Sequence, residues 1–215
     1  MNESAHGIIV RLRPLSETSL IVHWLTREHG RVATVAKGAR KPKSSYHGKL
    51  DLFFTADFTF ARSRRSDLHN LREVQLGSTH PDLRKKLHKI EQLSYFTNLI
   101  EQTTEADTPM VDSFELFAGL VAHLENHVPR PRIVFAFELK HLHELGLAPD
   151  IDGSRLSPEA QTTVVDLLEK DWNSIEDLNP TKSVAREIQQ FLHGFLIYHI
   201  EKLPKGRSVA LGLHE

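Results

Sequence analysis

Residues 31–61, RVATVAKGARKPKSSYHGKLDLFFTADFTFA, decide how the rest of the chain is read. Near its end, Phe54, Ala56, Phe58 and Phe60 recur at every second position, the period of a half-buried strand. At its start, Arg31–Lys37 is a short apolar alternation (Val32, Val35) that runs into Gly38. Between the two lie Lys37, Arg40, Lys41 and Lys43, with Pro42 and Ser44–Ser45 breaking regular structure and Tyr46 and His47 among the charges. The order of strand, glycine turn and cationic loop puts four positive side chains on an exposed connection. The natural ligand of such a loop is polyanionic, and nucleic acid is the commonest. The same composition also fits a solvated basic loop with no partner.

Outward from this stretch the strand pattern continues. Gly7–Arg13 and Ser19–Thr26 are rich in β-branched residues and are separated by Pro14 and a polar turn. Downstream, Arg62, Arg64 and Arg65 form a second basic turn, and Asp67–Leu76 returns as a strand. About five short strands over roughly 70 residues predict a small antiparallel barrel such as the OB-fold, with an SH3-like barrel as the alternative. The aromatics Trp24, Phe53, Phe54, Phe58 and Phe60 belong mostly to its core, because interior packing demands their period-two placement. Tyr46 and His47, in the charged loop, are the better candidates for stacking on bases.

Near Ser78 the period changes. Thr79-His-Pro-Asp82 reads as a helix start, with Thr79 as cap and Pro81 in the first turn. Leu83, Leu87, Ile90, Leu93, Leu99 and Ile100 follow at helical spacing, and Phe114, Phe117, Leu120, Val121 and Leu124 form the next stripe. Ile133–Leu145 is apolar on most sides and predicts a central helix stopped by Gly146 and Pro149. Ser157 and Pro158 open another helix, residues 169–182 read as a polar connection, and Val184, Ile188, Phe191, Leu192, Phe195 and Leu196 mark the last long helix. The predicted fold is therefore mixed β then α: a barrel domain over 1–78 and a bundle of about five helices over 79–215.

The net charge of −1 conceals an asymmetry. Residues 1–80 carry 13 Lys and Arg against 7 Asp and Glu, a balance of +6, and the remainder carries 14 against 21, a balance of −7. A basic module joined to an acidic one fits that split. There is no cysteine, which removes disulfides, thiolate catalysis and Cys-type zinc sites together. The opening MNESAHGIIVRLRP has too short an apolar run for a signal peptide, and no stretch approaches the roughly 18 apolar residues of a membrane helix. A soluble protein of the cytoplasm, without membrane contact, is expected.

Fourteen histidines raise the question of a metal. His123 and His127 stand one helical turn apart, but Leu124 takes the place of the glutamate that follows the first histidine in zinc proteases. His141 and His143 point to different helix faces, and surface histidines are the simpler reading. No nucleophile elbow, phosphate loop or acid pair is present, so no catalytic residue, cofactor or metal is expected.

Taken together the segments resemble the RecO family of bacterial recombination-mediator proteins. The resemblance runs through Glu17-Thr18-Ser19, Leu25-Thr26 and Gly30, then Ala36-Lys37-Gly38-Ala39-Arg40 with Lys43-Ser44, Gly48 and Leu50. It continues with Phe137-Glu138-Leu139, Leu142 and Gly146-Leu147-Ala148-Pro149, and ends with Tyr198-His199 ahead of Leu203. It implies an N-terminal OB-fold and an α-helical domain, binding of single- and double-stranded DNA, and annealing of complementary strands. It further implies recombinase loading onto strands coated by single-strand-binding protein, with RecR and the acidic C-terminal tail of that coating protein as partners, at the bacterial nucleoid. Many members carry two Cys-x-x-Cys pairs after the G-x-x-P segment; here Asp150–Leu156 leads directly to the next helix, so that zinc module is absent or metal-free.

On this reading Lys37, Arg40, Lys41, Lys43, Tyr46, Arg62, Arg64 and Arg65 bind DNA, the cations neutralising phosphates along one side of the barrel without reading sequence. Arg130, Arg132 and Lys140, bordering Phe135, Phe137 and Leu139, are the expected anchor for an acidic-hydrophobic tail, although each phenylalanine taken singly reads better as plain core. An RNA-binding OB protein, a protein-interaction adaptor acting through the acidic bundle, and a histidine-based metalloenzyme are the rival readings.

Overall fold

Five strands close a barrel in the computed structural model, which describes residues 2–213. They are β1 (Asn2–Pro14), β2 (Leu20–Thr26), β3 (Gly30–Ala36), β4 (Thr55–Ala61) and β5 (Leu68–Leu76), in the order β1-β2-β3-β5-β4 with β4 returning to β1. All pairings are antiparallel except that of β3 with β5. This is the OB-fold topology, and it closes the sheet on itself without a sixth strand, although β5 runs past its short pairing with β3. The alternation of Phe58 and Phe60 with Asp57 and Thr59 works as its period requires. Both aromatics sit in the core with Trp24, whose ring stacks on Phe58 at 4.0 Å while its Nε1 donates to Thr34 Oγ1.

The first strand begins earlier than its apolar run suggests. Asn2–Ile8 pairs with Ala61–Thr55, so the polar start NESAH is strand because of its partner and not because of its own pattern. Between Ile9 and Arg11 the register slips, and the bulge lets Leu12 pack on the core while Arg11 and Arg13 face outward.

Two compact units divide the chain. One contains the residues up to Pro81 together with Thr104–Ala118; the other contains Asp82–Thr103 and the residues from Gly119 onward. In the first, residues 104–108 lie along the start of β3: Asp107 donates its N–H to the Arg31 carbonyl at 2.9 Å, and Arg31 Nε donates to Thr104 Oγ1 at 2.8 Å. Gly30 makes that approach possible, since a Cβ there would fall 1.8 Å from the Thr108 carbonyl oxygen.

The helices are α1 (Leu87–Thr103), α2 (Val111–Asn126), α3 (Pro131–Glu144), α4 (Pro158–Glu169), α5 (Trp172–Glu176), α6 (Lys182–Ile200) and α7 (Arg207–Ala210). Thr79 does not cap the first of them. His80 takes a left-handed backbone (φ 44), the chain makes a 3-10 turn over Pro81–Lys85, and α1 starts at Leu87. The central helix is α3, with Ile133–Leu139, His141 and Leu142 all buried. Within the second unit it packs against α1, α4, α5 and α6, which present Leu93 and Phe96, Val164 and Leu167, Ile175, and Ile188 and Leu192. The stretch expected to be a polar connection hides α5, which Asp171 caps by accepting from Ser174 N at 2.8 Å. Among the described residues no helix is long and apolar enough to cross a membrane.

Candidate nucleic-acid interface

The cationic loop is ordered by turns and by two anchors. Lys41, Ser44, His47 and Lys49 each donate a backbone N–H to the carbonyl three residues earlier, at 3.0 to 3.1 Å. Gly38 and Gly48 hold left-handed backbone (φ 73 and 70), which tight turns need and side chains resist. Arg40 is tied to the β1–β2 turn: its N–H reaches the Thr18 carbonyl at 3.0 Å and its Nη1 the Ser16 carbonyl at 2.8 Å. Lys37, Lys41 and Lys43 are exposed and have no ion pair among the described residues.

Tyr46 is not a stacking residue. It is buried, 9% exposed, and belongs to the barrel core, with its hydroxyl 3.0 Å from the Leu71 carbonyl and 3.1 Å from the Arg72 carbonyl. Burial raises its pKa, so the hydroxyl stays a donor. The charged surroundings of Tyr46 in sequence suggested exposure; the unpaired edge of β5 supplies the burial. His47 remains exposed.

Strand register adds cations that a search for charge clusters passes over. Because Val22, Trp24, Val32 and Ala36 point inward, Ile21, His23, Ala33 and Val35 form the outer face of β2 and β3. Arg11 lies opposite His23, and Arg13 opposite Ile21. Arg13 thus stands beside the Lys37 end of β3 and is exposed. The alternation of arginine with Leu12 in V-R-L-R is the sequence signal that marks these two as outward-facing.

The two basic turns do not line one side of the barrel. Leu68 pairs with Ala33 in parallel, so the turn carrying Arg64 and Arg65 precedes β3's start, whereas Lys37–Lys43 follows its end. Seven residues of strand, about 20 Å, separate them. Arg64 and Arg65 are exposed, but Arg62 is committed within the protein. It donates to both oxygens of Glu3 at 2.9 and 3.0 Å and to Asp107 Oδ1 at 3.0 Å. The Arg62 guanidinium in turn holds the Glu3 carboxyl below its usual pKa. His69 completes the cluster: Ser63 N donates to its Nδ1 at 3.3 Å, which leaves Nε2 to donate to Asp107 Oδ1 at 3.2 Å.

In the helical unit the expected tail anchor is likewise occupied. Phe135, Phe137 and Leu139 are core, and Phe137 packs on Phe96 with ring centroids 4.3 Å apart. Arg132 pairs with Glu176 at 2.8 Å and donates to Asn179 Oδ1 at 3.2 Å and to the Leu178 carbonyl. Lys140 donates to the Leu168 carbonyl at 2.6 Å and lies 5.9 Å from the Trp172 ring centre. Arg130 alone of the three is exposed. An α3 buried on nearly every side leaves no apolar groove for these cations to border.

The histidine pair at the end of α2, His123 within it and His127 just past it, also has internal work. His123 and His127 stack at 4.0 Å, and His123 Nε2 lies 3.1 Å from Glu176 Oε1. Among the described residues no three His, Asp or Glu side chains are grouped so as to hold a metal ion.

Residues 1–80 match the family model for the recombination protein O N terminal region, and residues 84–154 match that for the recombination protein O C terminal region. Similar curated proteins carry the name DNA repair protein RecO. The one from Syntrophus aciditrophicus is 29% identical over 146 residues, 68% of this chain and 56% of the relative. Those from Bacillus pumilus and Bacillus subtilis are 30% and 28% identical, over 69% and 71% of this chain and 57% and 59% of the relatives. The matched stretch thus spans little more than half the length of these curated relatives.

Proposed function

The chain belongs to the RecO family, and from that premise we propose that it acts in DNA repair by binding DNA through its OB-fold barrel. The observation that carries this reading is the set of exposed cations, Lys37, Lys41 and Lys43 with Arg13 beside them, at one end of the β1–β2–β3 face. Arg40 lies among them with its guanidinium turned onto the Ser16 carbonyl. Contacts of this kind engage the sugar–phosphate backbone and ignore base identity. A strand crossing the outer face of β2 and β3 would meet His23 and, toward the far end of the barrel, Arg64 and Arg65.

The activity we infer is non-enzymatic annealing. Two strands repel each other through their phosphates; a cationic surface that holds both lowers that repulsion and lets pairing follow without nucleotide or catalytic residue. Loading of recombinase with RecR, and contact with the acidic tail of single-strand-binding protein, are the partner functions proposed with it. The occupied anchors at Arg132 and Lys140 argue that the tail docks elsewhere than on α3.

Titration of a single-stranded oligonucleotide at several salt concentrations tests the binding. Four to five phosphate contacts predict a log–log slope of about −3. Annealing of complementary oligonucleotides should proceed with ATP omitted. A slope near zero, or no binding in dilute buffer, would overturn the reading.

A further inference from the structure

The parallel pairing that closes the barrel is short. β3 meets β5 at three positions, Ala33 with Leu68, Thr34 with His69 and Val35 with Asn70, yet β5 runs on to Leu76. Carbonyls on that edge past Asn70 have no strand to bond. Two side chains from the far end of the cationic loop take the strand's place. The Tyr46 hydroxyl reaches the carbonyls of Leu71 and Arg72, and Lys49 Nζ donates to the Val74 carbonyl at 3.1 Å. The register slip between Thr59 and Phe60 allows it, because a bulge in the β4–β5 pairing lets two successive carbonyls of β5 face one hydroxyl.

From Tyr46 back to Lys37 the backbone is a run of tight turns, each closed over three residues. Ser44 joins the two halves: its N–H bonds to the Lys41 carbonyl, and its Oγ accepts from Tyr46 N at 3.2 Å. The exposed Lys41 and Lys43 therefore hang between two fixed points, Arg40 on the β1–β2 turn and Tyr46 on β5. We propose that Tyr46, seconded by Lys49, is a positioning residue that latches the cationic segment onto the β5 edge and holds its lysines ready for a phosphate backbone. This rests on the DNA-binding reading above and deepens it. A loop ordered in advance loses less conformational freedom on binding than a free one, so the latch acts on affinity and not on the number of contacts.

The test is Tyr46→Phe in the full chain, with a thirty-residue oligothymidylate as probe. Removing one hydroxyl leaves the ring in the core and every cation in place. The expected result is about fivefold weaker binding at fixed salt with an unchanged log–log slope. Backbone amides of residues 38–49 should exchange faster with solvent while those of β1, β2 and β4 do not. Tyr46→Leu should move both readouts further in the same direction. Affinity within twofold of the wild type for both variants overturns the proposal, as does faster exchange spread over the whole barrel. If the wild-type chain shows no salt-dependent binding, the DNA reading itself falls. If it binds, and Lys41→Ala with Lys43→Ala flattens the slope while Tyr46→Phe changes nothing, only the latch falls.

Discussion

Arg207 holds Glu138 by both carboxylate oxygens, Nε to Oε1 at 2.7 Å and Nη2 to Oε2 at 2.9 Å, and Glu138 is wholly buried. Tyr95 adds a third bond, its hydroxyl donating to Oε1 at 2.5 Å. The arrangement ties α7 to the centre of α3 through a charge that water does not reach. Glu138→Gln should cost about 3 kcal/mol, because it leaves the guanidinium of Arg207 buried without its counter-charge. Glu138→Leu with Arg207→Leu should cost less than Glu138→Leu alone, a coupling that urea denaturation of Glu138→Leu, Arg207→Leu and the double variant would measure.

The same residue shows what sequence does and does not disclose. Glu138 stands in the Phe137-Glu138-Leu139 segment that carries the family resemblance, but a charge inside an apolar helix has no visible partner until Arg207, 69 residues on, is placed beside it. The barrel was legible because Phe58 and Phe60 alternate with polar neighbours, and α4 because Ser157 caps it by accepting from Ala160 N. Tyr46 was misread because burial is decided by β5, which lies 25 residues away. The return of residues 104–108 to the start of β3 left only one mark, the missing side chain at Gly30, whose place the Thr108 carbonyl takes.

For the loop itself, Lys41→Ala with Lys43→Ala should reduce the log–log salt slope on single-stranded DNA by about 1.4, roughly 0.7 for each phosphate contact removed. Arg13→Ala should remove one further contact. Stability should not change by more than about 0.5 kcal/mol, since all three side chains are exposed. Fluorescence anisotropy over a salt series and a thermal melt of each variant give both numbers.

Arg62 should behave in the opposite way. Its fork is taken by Glu3 and its remaining nitrogen by Asp107, so Arg62→Ala should leave the slope nearly unchanged and lower stability by about 1 kcal/mol. The figure is kept small because the side chain is 36% exposed and solvent screens the pair. A slope reduced as much as by the loss of Lys43 would place Arg62 on the DNA after all.

Gly30→Ala should be among the most damaging small substitutions in the barrel. The backbone there is left-handed (φ 64), and the added carbon would overlap the Thr108 carbonyl at 1.8 Å, which is main chain and has no flexible end to swing aside. A loss on the order of 3 kcal/mol is expected by denaturant unfolding. Gly48→Ala, with the same sign of φ but open space around it, should cost no more than about 1 kcal/mol.

Stability should fall on mild acidification because of His141. The imidazole is buried in α3, its Nε2 lies 2.7 Å from Thr103 Oγ1, and burial lowers its pKa from 6.5 to about 4. Above pH 6.5 the ring is neutral whether the chain is folded or not, and its contribution is complete. As pH falls from 6.5 toward 4 the unfolded chain takes up a proton that the folded chain refuses, and stability declines by about 3 kcal/mol across that window. Below about 4 both states are protonated and this loss levels off. His123, whose pKa burial also lowers despite Glu176 beside it, works in the same direction. His141→Gln removes the proton acceptor, so the plot of unfolding free energy against pH should flatten between 6.5 and 4 while keeping the smaller slope due to His123. An unaltered pH profile in that variant would show that water reaches the ring and that the α3 core is looser than its burial implies.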